Sequence, residues 1–178
     1  PDYFDQCRVI AFNILNNLEY SQGVSVERNP IYPYFLAITF FIFGENFLAV
    51  QIIQIIFDIV ICACIFLIGR QLFDRNTATL SMCIWGFYPP AILQSFQIIT
   101  ENIFSMFLVI SVLFYLKSLY KENLNLLFIS GFFLGFAVLT KPTAQYILIG
   151  YVALIPLIIY QSRKIKLFLL IIIFSFSI

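Results

Sequence analysis

The sequence predicts an all-α, polytopic transmembrane helical bundle carrying an extracytoplasmic loop of interfacial helices, and three observations predict it. Of the 178 residues, 62% are hydrophobic and 11% charged, with a mean hydropathy of +0.98. A soluble domain of this size cannot bury that much apolar side chain, so lipid must be the solvent. The apolar residues also fall into runs close to the roughly 20 residues that cross a hydrocarbon core. Finally, the cations gather in alternate connections, as the positive-inside rule asks of cytoplasmic loops. Lipid offers no partner to an unpaired backbone, so the runs are helices. The formal net charge is +1, and the ten Lys and Arg are scattered, which argues against a nucleic-acid partner.

At the start, Phe4, Cys7, Ala11, Ile14, Leu15 and Leu18 recur at helical spacing, with Asp5, Arg8 and Asn13 between them. That pattern predicts an amphipathic helix lying on the membrane surface. The next apolar run, Ile31 to Phe43, is too short to cross at about 13 residues, and crossing would break the charge parity, so it is expected to be re-entrant or interfacial. Residues 1–46 are thus expected to form an extracytoplasmic shelf. Residues 47–178 are expected to hold about five spans and a truncated sixth: Phe47 to Gly69, Thr77 to Ile99, Asn102 to Leu119, Leu124 to Thr140, Ala144 to Tyr160, and a run from Leu167. The chain opens at Pro1 and stops inside an apolar run, so both ends read as cut, and no signal-peptide pattern opens it.

Sidedness follows from charge. Arg70 with Arg75, Lys117 with Lys121, and Arg163 with Lys164 and Lys166 occupy alternate connections and go to the cytoplasm. Asp2, Asp5, Glu19, Glu27, Glu45 and Glu101 then collect on the other side, accompanied by Arg8, Arg28 and Lys141. Within the bundle, Pro89 and Pro90 are expected to kink or break the second span, and Gln94, Ser95 and Gln97 after the break to face an interior cavity. Gly131 and Gly135 form a small-xxx-small pair suited to a close helix approach.

The chain has no His, so acid–base work falls to carboxylates, Lys or Tyr. Cys7, Cys62, Cys64 and Cys83 have no metal-ligand spacing and read as small apolar fillers. Asp58 sits mid-span, where a carboxylate is a functional candidate; a hydrogen bond to a neighbouring span is the favoured reading, with Gln51 and Gln54 making similar contacts. The informative groups lie at the outer rim: Asp2 and Asp5 on the surface helix, Glu27 and Arg28 before the short apolar run, Thr100 and Glu101 at one tight connection, and Lys141 at another. Such carboxylates are ordinarily solvated. Gathered around a cavity open to lipid, they would suit an amphipathic ligand with an isoprenoid tail and a phosphate-sugar head.

The order Asn29-Pro30-Ile31-Tyr32-Pro33-Tyr34-Phe35-Leu36-Ala37, then Phe43-Gly44, Gly69-Arg70-Gln71-Leu72-Phe73, Tyr88-Pro89-Pro90, Thr100-Glu101 and Leu139-Thr140-Lys141-Pro142-Thr143 resembles the membrane glycosyltransferases of the C-type (GT-C) fold, of the protein-mannosyltransferase-like and aminoarabinose-transferase-like group. The resemblance covers nearly the whole chain. It implies transfer of a sugar from a polyprenyl-phosphate donor to a lipid, glycan or protein acceptor on the extracytoplasmic face, here of a bacterial plasma membrane. It also implies a catalytic base in the first external loop, matched by Asp2 after Pro1 with Asp5 as rival, further acidic positions at Glu27 and Glu101, and a cation near the lipid phosphate at Lys141. Arg28 and Thr100 are the accompanying substrate-binding candidates. Relatives frequently carry a second carboxylate directly after the first, whereas Tyr3 follows Asp2. No cofactor is required by this reading, and a divalent cation is left open. The alternative reading is a polytopic transporter or flippase, for which charge belongs at the midplane and only Asp58 qualifies; a non-catalytic scaffold is a third.

Overall fold

Long apolar stretches form the helices of the chain, and Asn46, Asp74 and Asn123 cap three of them where they begin. In a computed structural model, residues 3–20, 22–23, 29–121 and 123–146 are described. Among them seven α-helices run in order: α1 (Tyr3–Leu15), α2 (Ile31–Phe43), α3 (Phe47–Leu72), α4 (Arg75–Gly86), α5 (Pro89–Phe96), α6 (Glu101–Lys121) and α7 (Leu124–Thr140), followed by a 3-10 turn at Pro142–Ala144. The expected span beyond Tyr146 and the run from Leu167 lie outside the described residues, as do Asp2, Glu27 and Arg28.

The first helix is amphipathic as its spacing predicts, but its apolar side meets protein. Cys7 and Ala11 join Tyr32, Leu36, Ala37 and Phe40 of α2, Val50 of α3 and Ile103 of α6 in one buried cluster, and the Phe12 and Phe40 rings stack at 5.8 Å. The expectation of a stripe lying on lipid is therefore corrected. The reason is that α2 is apolar on every side and offers α1 a dry partner, while its own opposite face, with Ile38, Phe41 and Ile42, stays exposed. The first helix ends where Asn17 takes a left-handed conformation at φ 54°, and the Leu18 N–H donates back to the Asn13 carbonyl at 2.9 Å. Gly44, at φ 68°, makes the turn into α3, and Asn46 caps that helix by accepting from the Leu48 N–H at 3.0 Å. Arg8 pairs with Glu45 and fastens α1 to this turn.

Among the described residues, two helices are long and apolar enough to cross a membrane. In α3, 26 residues long, and α6, 21 residues long, only 22% and 28% of the most apolar stretch is buried. The core helix of a soluble protein would be mostly buried, so these two present apolar side chains to lipid. The expected second span is present as two pieces. Pro89 and Pro90 occupy the first positions of α5, where a helix needs no N–H donor, and Phe87 and Tyr88 carry the break.

Helix contacts in lipid depend on close approach and polar bonds rather than on transfer from water. A close backbone approach joins α3 to α4, where a Cβ built on Gly69 would stand 2.8 Å from the Ala78 Cα. A Cβ on Gly135 would meet nothing within 4 Å. Gly135 itself is thus not a contact point, although α7 lies against α6 through Ser130, and a close backbone approach is made at Gly69. Ser111 and Ser130 bind α6 to α7 reciprocally, each hydroxyl donating to the other residue's carbonyl at 2.9 Å. At the connection between α3 and α4, Asp74 accepts from the Thr77 hydroxyl at 2.5 Å and the Asn76 N–H at 2.8 Å. The Thr77 hydroxyl first, then the Asn76 and Thr77 amides, hold its carboxyl below the ordinary range. All four cysteines are free, Cys7 and Cys64 buried, in keeping with their reading as fillers.

Candidate functional site

Antiparallel α6 and α7 bring the beginning of one helix beside the end of the other. Glu101 lies in the first turn of α6, where the helix dipole favours a carboxylate, and Lys141 follows the last turn of α7, where it favours a cation. The two meet: Lys141 Nζ stands 2.5 Å from Glu101 Oε1, with about a third of each side chain exposed (33% and 37%). Lys141 also lies over the Phe104 ring, 5.8 Å from its centroid. Thr100 is buried, and its hydroxyl is 3.4 Å from Glu101 Oε2. Asn29 donates through Nδ2 to the Thr140 carbonyl at 3.0 Å, so the start of α2 abuts the same corner.

Three of the residues singled out from sequence, Thr100, Glu101 and Lys141, are therefore neighbours. Asp5 is exposed on the first turn of α1, and its side chain makes no hydrogen bond or ion pair with another described residue. Asp2, Glu27 and Arg28 lie outside the described residues. Glu45, expected only to be part of a turn, is in that turn and also pairs with Arg8. Sequence reading passed over Phe104 and Asn29 as parts of the corner. Their signal was weak, since an aromatic one turn into a helix and an Asn before Pro are common without function.

Beneath the corner lies a polar layer. Asp58 of α3 accepts from the hydroxyl of Ser95 in α5 and from Asn102 Nδ2 of α6 at 3.1 Å. Asn102 Nδ2 also donates to the Ser95 hydroxyl at 3.1 Å. Gln54 donates to the Ile99 carbonyl at 3.2 Å, and Gln51 to the Phe96 carbonyl at 2.9 Å. Asp58, Gln54 and Gln51 thus make the interhelical contacts expected of them. Ser95 is buried but Gln97 is exposed, so the polar stretch does not share one interior face. The reason is that the chain leaves helical geometry at Gln97, which is extended at ψ 133°.

The far end of the bundle has a different character. Tyr120 donates to the Gln71 carbonyl at 3.3 Å, so the end of α6 and the end of α3 share it, and Arg70, Arg75, Lys117 and Lys121 gather there. One end carries cations; the other carries the Glu101–Lys141 pair.

The profile of the family described as dolichyl-phosphate-mannose-protein mannosyltransferase matches residues 27–178. The chain belongs to that family. No curated protein and no solved structure matches it. As a member of the mannosyltransferase family, the chain is a membrane glycosyltransferase of the GT-C type, which bears out the resemblance and the all-α membrane fold. The matched stretch holds Glu27, Arg28, Thr100, Glu101 and Lys141, while Asp2 and Asp5 precede it. Among the described residues no three His, Cys, Asp or Glu side chains gather as metal ligands.

Proposed function

We propose that this mannosyltransferase-family chain transfers a sugar from a polyprenyl-phosphate donor to a lipid, glycan or protein acceptor on the extracytoplasmic side of a bacterial plasma membrane. The observation that carries the reading is the Glu101–Lys141 pair at 2.5 Å, about one third exposed, at the cation-poor end of a lipid-facing bundle. An ammonium has three donors, and Glu101 engages one; the others are free to hold a phosphate oxygen whose isoprenoid tail lies among the exposed apolar side chains. In our scheme, Asp2, with Asp5 as rival, takes the proton of an acceptor hydroxyl. That oxygen attacks the anomeric carbon, the bond from that carbon to the phosphate oxygen breaks, and the polyprenyl phosphate leaves with the electron pair. A single displacement inverts the anomeric centre. Lys141 stabilises the departing phosphate, Glu101 orients Lys141 and receives sugar hydroxyls beside Thr100, and Glu27 with Arg28 completes the rim. Residues 1–46 act as the roof of this cavity, and residues 47–178 as its lipid-embedded wall.

The transporter reading rests on Asp58 alone, whose carboxylate makes interhelical contacts with Ser95 and Asn102. The test uses the full-length protein in nanodiscs with a radiolabelled polyprenyl-phosphate sugar. Lys141→Met is expected to lower kcat/KM about 100-fold, the scale of removing one donor from a developing anion. Glu101→Gln, Glu27→Gln and Asp2→Asn are expected to lower it by about tenfold or more. Wild-type transfer in Lys141→Met and Glu101→Gln together would remove the site.

A further inference from the structure

Three polar residues on one face of α3 all engage a single short segment of the chain. Gln51, Gln54 and Asp58 follow one another at helical spacing of three and four residues, so they project from the same side. Gln51 Nε2 donates to the Phe96 carbonyl at 2.9 Å. Gln54 Nε2 donates to the Ile99 carbonyl at 3.2 Å. Asp58 accepts from Ser95, and from Asn102 at 3.1 Å. These partners fall within residues 95–102, where the chain leaves α5, runs through Gln97, Ile98 and Ile99 outside any helix, and enters α6 at Glu101; Gln54 Nε2 also donates to the Tyr32 hydroxyl of α2 at 3.4 Å. The Phe96 carbonyl at the end of α5 and the Ile99 carbonyl in the connector would otherwise lack these donors in an apolar surrounding.

We infer that Gln51, Gln54 and Asp58 form a positioning clasp, with Ser95 and Asn102 as its counterparts, that fixes the start of α6 so that Glu101 meets Lys141. The inference rests on the functional reading above, but the geometry it explains does not. Glu101 directly precedes Asn102, which is buried and donates to both Asp58 and Ser95. Its backbone is therefore pinned from the α3 side, while its side chain reaches the other way to α7. Removing the acceptor at position 58 frees two donors at once and lets the start of α6 shift. The carboxylate is needed as an acceptor, not as a charge. An amide at position 58 keeps an oxygen for Ser95 and Asn102, and its new N–H group has a waiting partner, because the Asn102 Oδ1 atom is buried and has no hydrogen bond.

The test is a zero-length cross-link on the full-length protein in nanodiscs. A carbodiimide joins the Glu101 carboxyl to the Lys141 amine only where they touch, and peptide mass spectrometry reads the yield without requiring activity. Wild type is expected to cross-link efficiently and Asp58→Asn to keep that yield. Asp58→Leu and Asn102→Leu are expected to lose it at least fivefold, and kcat for sugar transfer to fall about tenfold with donor KM little changed. In a Glu101→Gln background, adding Asp58→Leu should cost almost nothing more, because residues acting through one group are not additive. If Asp58→Leu unfolds the protein, Ser95→Ala and Gln51→Ala, each removing one bond, should lower the yield in part. An unchanged yield in the folded variants overturns the clasp, as does a loss in Asp58→Asn equal to that in Asp58→Leu. A wild type that cross-links as expected but transfers no sugar overturns the functional reading and leaves the clasp standing.

Discussion

At Gly69 the backbone of α3 touches that of α4 with no room for another carbon. A methyl group there would stand 2.8 Å from the Ala78 Cα and 2.9 Å from its Cβ, and neither atom belongs to a flexible side chain that can rotate away. Gly69→Ala is therefore expected to destabilise the protein by about 1–3 kcal/mol, the usual range for overpacking, despite the gain in helix propensity from Gly to Ala. Unfolding of the detergent-solubilised protein measures it; a neutral or stabilising result would show that α4 can slide. Gly135→Ala should be near neutral, since nothing lies within 4 Å of its Cβ position. Residue identity alone did not separate these two glycines. The GxxxG spacing at Gly131 and Gly135 pointed to α7, and nothing in the sequence marked Gly69 as a contact, although its backbone meets an Ala of α4. Thr100, Glu101 and Lys141 were individually legible as isolated polar groups at span ends. Their meeting was not, because 40 residues separate Glu101 from Lys141 and only the antiparallel packing of two helices closes that gap.

Helix boundaries were legible wherever the chain carries a breaker or a cap. Leu124–Thr140 begins after Asn123, which accepts from the Asn125 N–H at 2.9 Å, and the Pro89-Pro90 pair divides the second span where two missing donors require it. Which side a helix turns to its neighbour was less legible. The α1 stripe looked destined for lipid because a sequence pattern cannot tell an apolar bilayer from an apolar helix, and α2 is the latter. The same limit holds for α6 and α7, which are apolar nearly all round, so two serines decide their register. The Ser111 and Ser130 hydroxyls each donate to the other's carbonyl. Ser111→Ala and Ser130→Ala should each cost about 0.6 kcal/mol, a typical interhelical hydrogen bond in a membrane. The double variant should cost less than the sum if the two bonds support one another. Full additivity in unfolding measurements would mean that the serines act separately and that the aromatic contact of Phe107 with Phe136, centroids 5.3 Å apart, sets the register without them.

For the whole molecule, charge and geometry make one topology. The positive-inside pattern assigns Arg70, Arg75, Lys117 and Lys121 to one side, and the bond from Tyr120 to Gln71 independently brings the α3 and α6 ends together at that side. The Glu101–Lys141 pair and the link from Asn29 to Thr140 bring the other ends together with the start of α2. A chain in which Leu124–Thr140 failed to cross would put Lys141 at the cationic end, out of reach of Glu101. In a background with the four native cysteines replaced, Glu19→Cys and Arg75→Cys place single thiols at exposed positions of opposite ends. An impermeant maleimide added to intact cells should label the first and spare the second, and inverted vesicles should reverse the result. Labelling of both from one side would break the parity argument and, with it, the extracytoplasmic placement of the sugar-transfer site. The Glu101–Lys141 contact would survive that outcome, since it depends on how α6 meets α7 and not on which way the bundle faces.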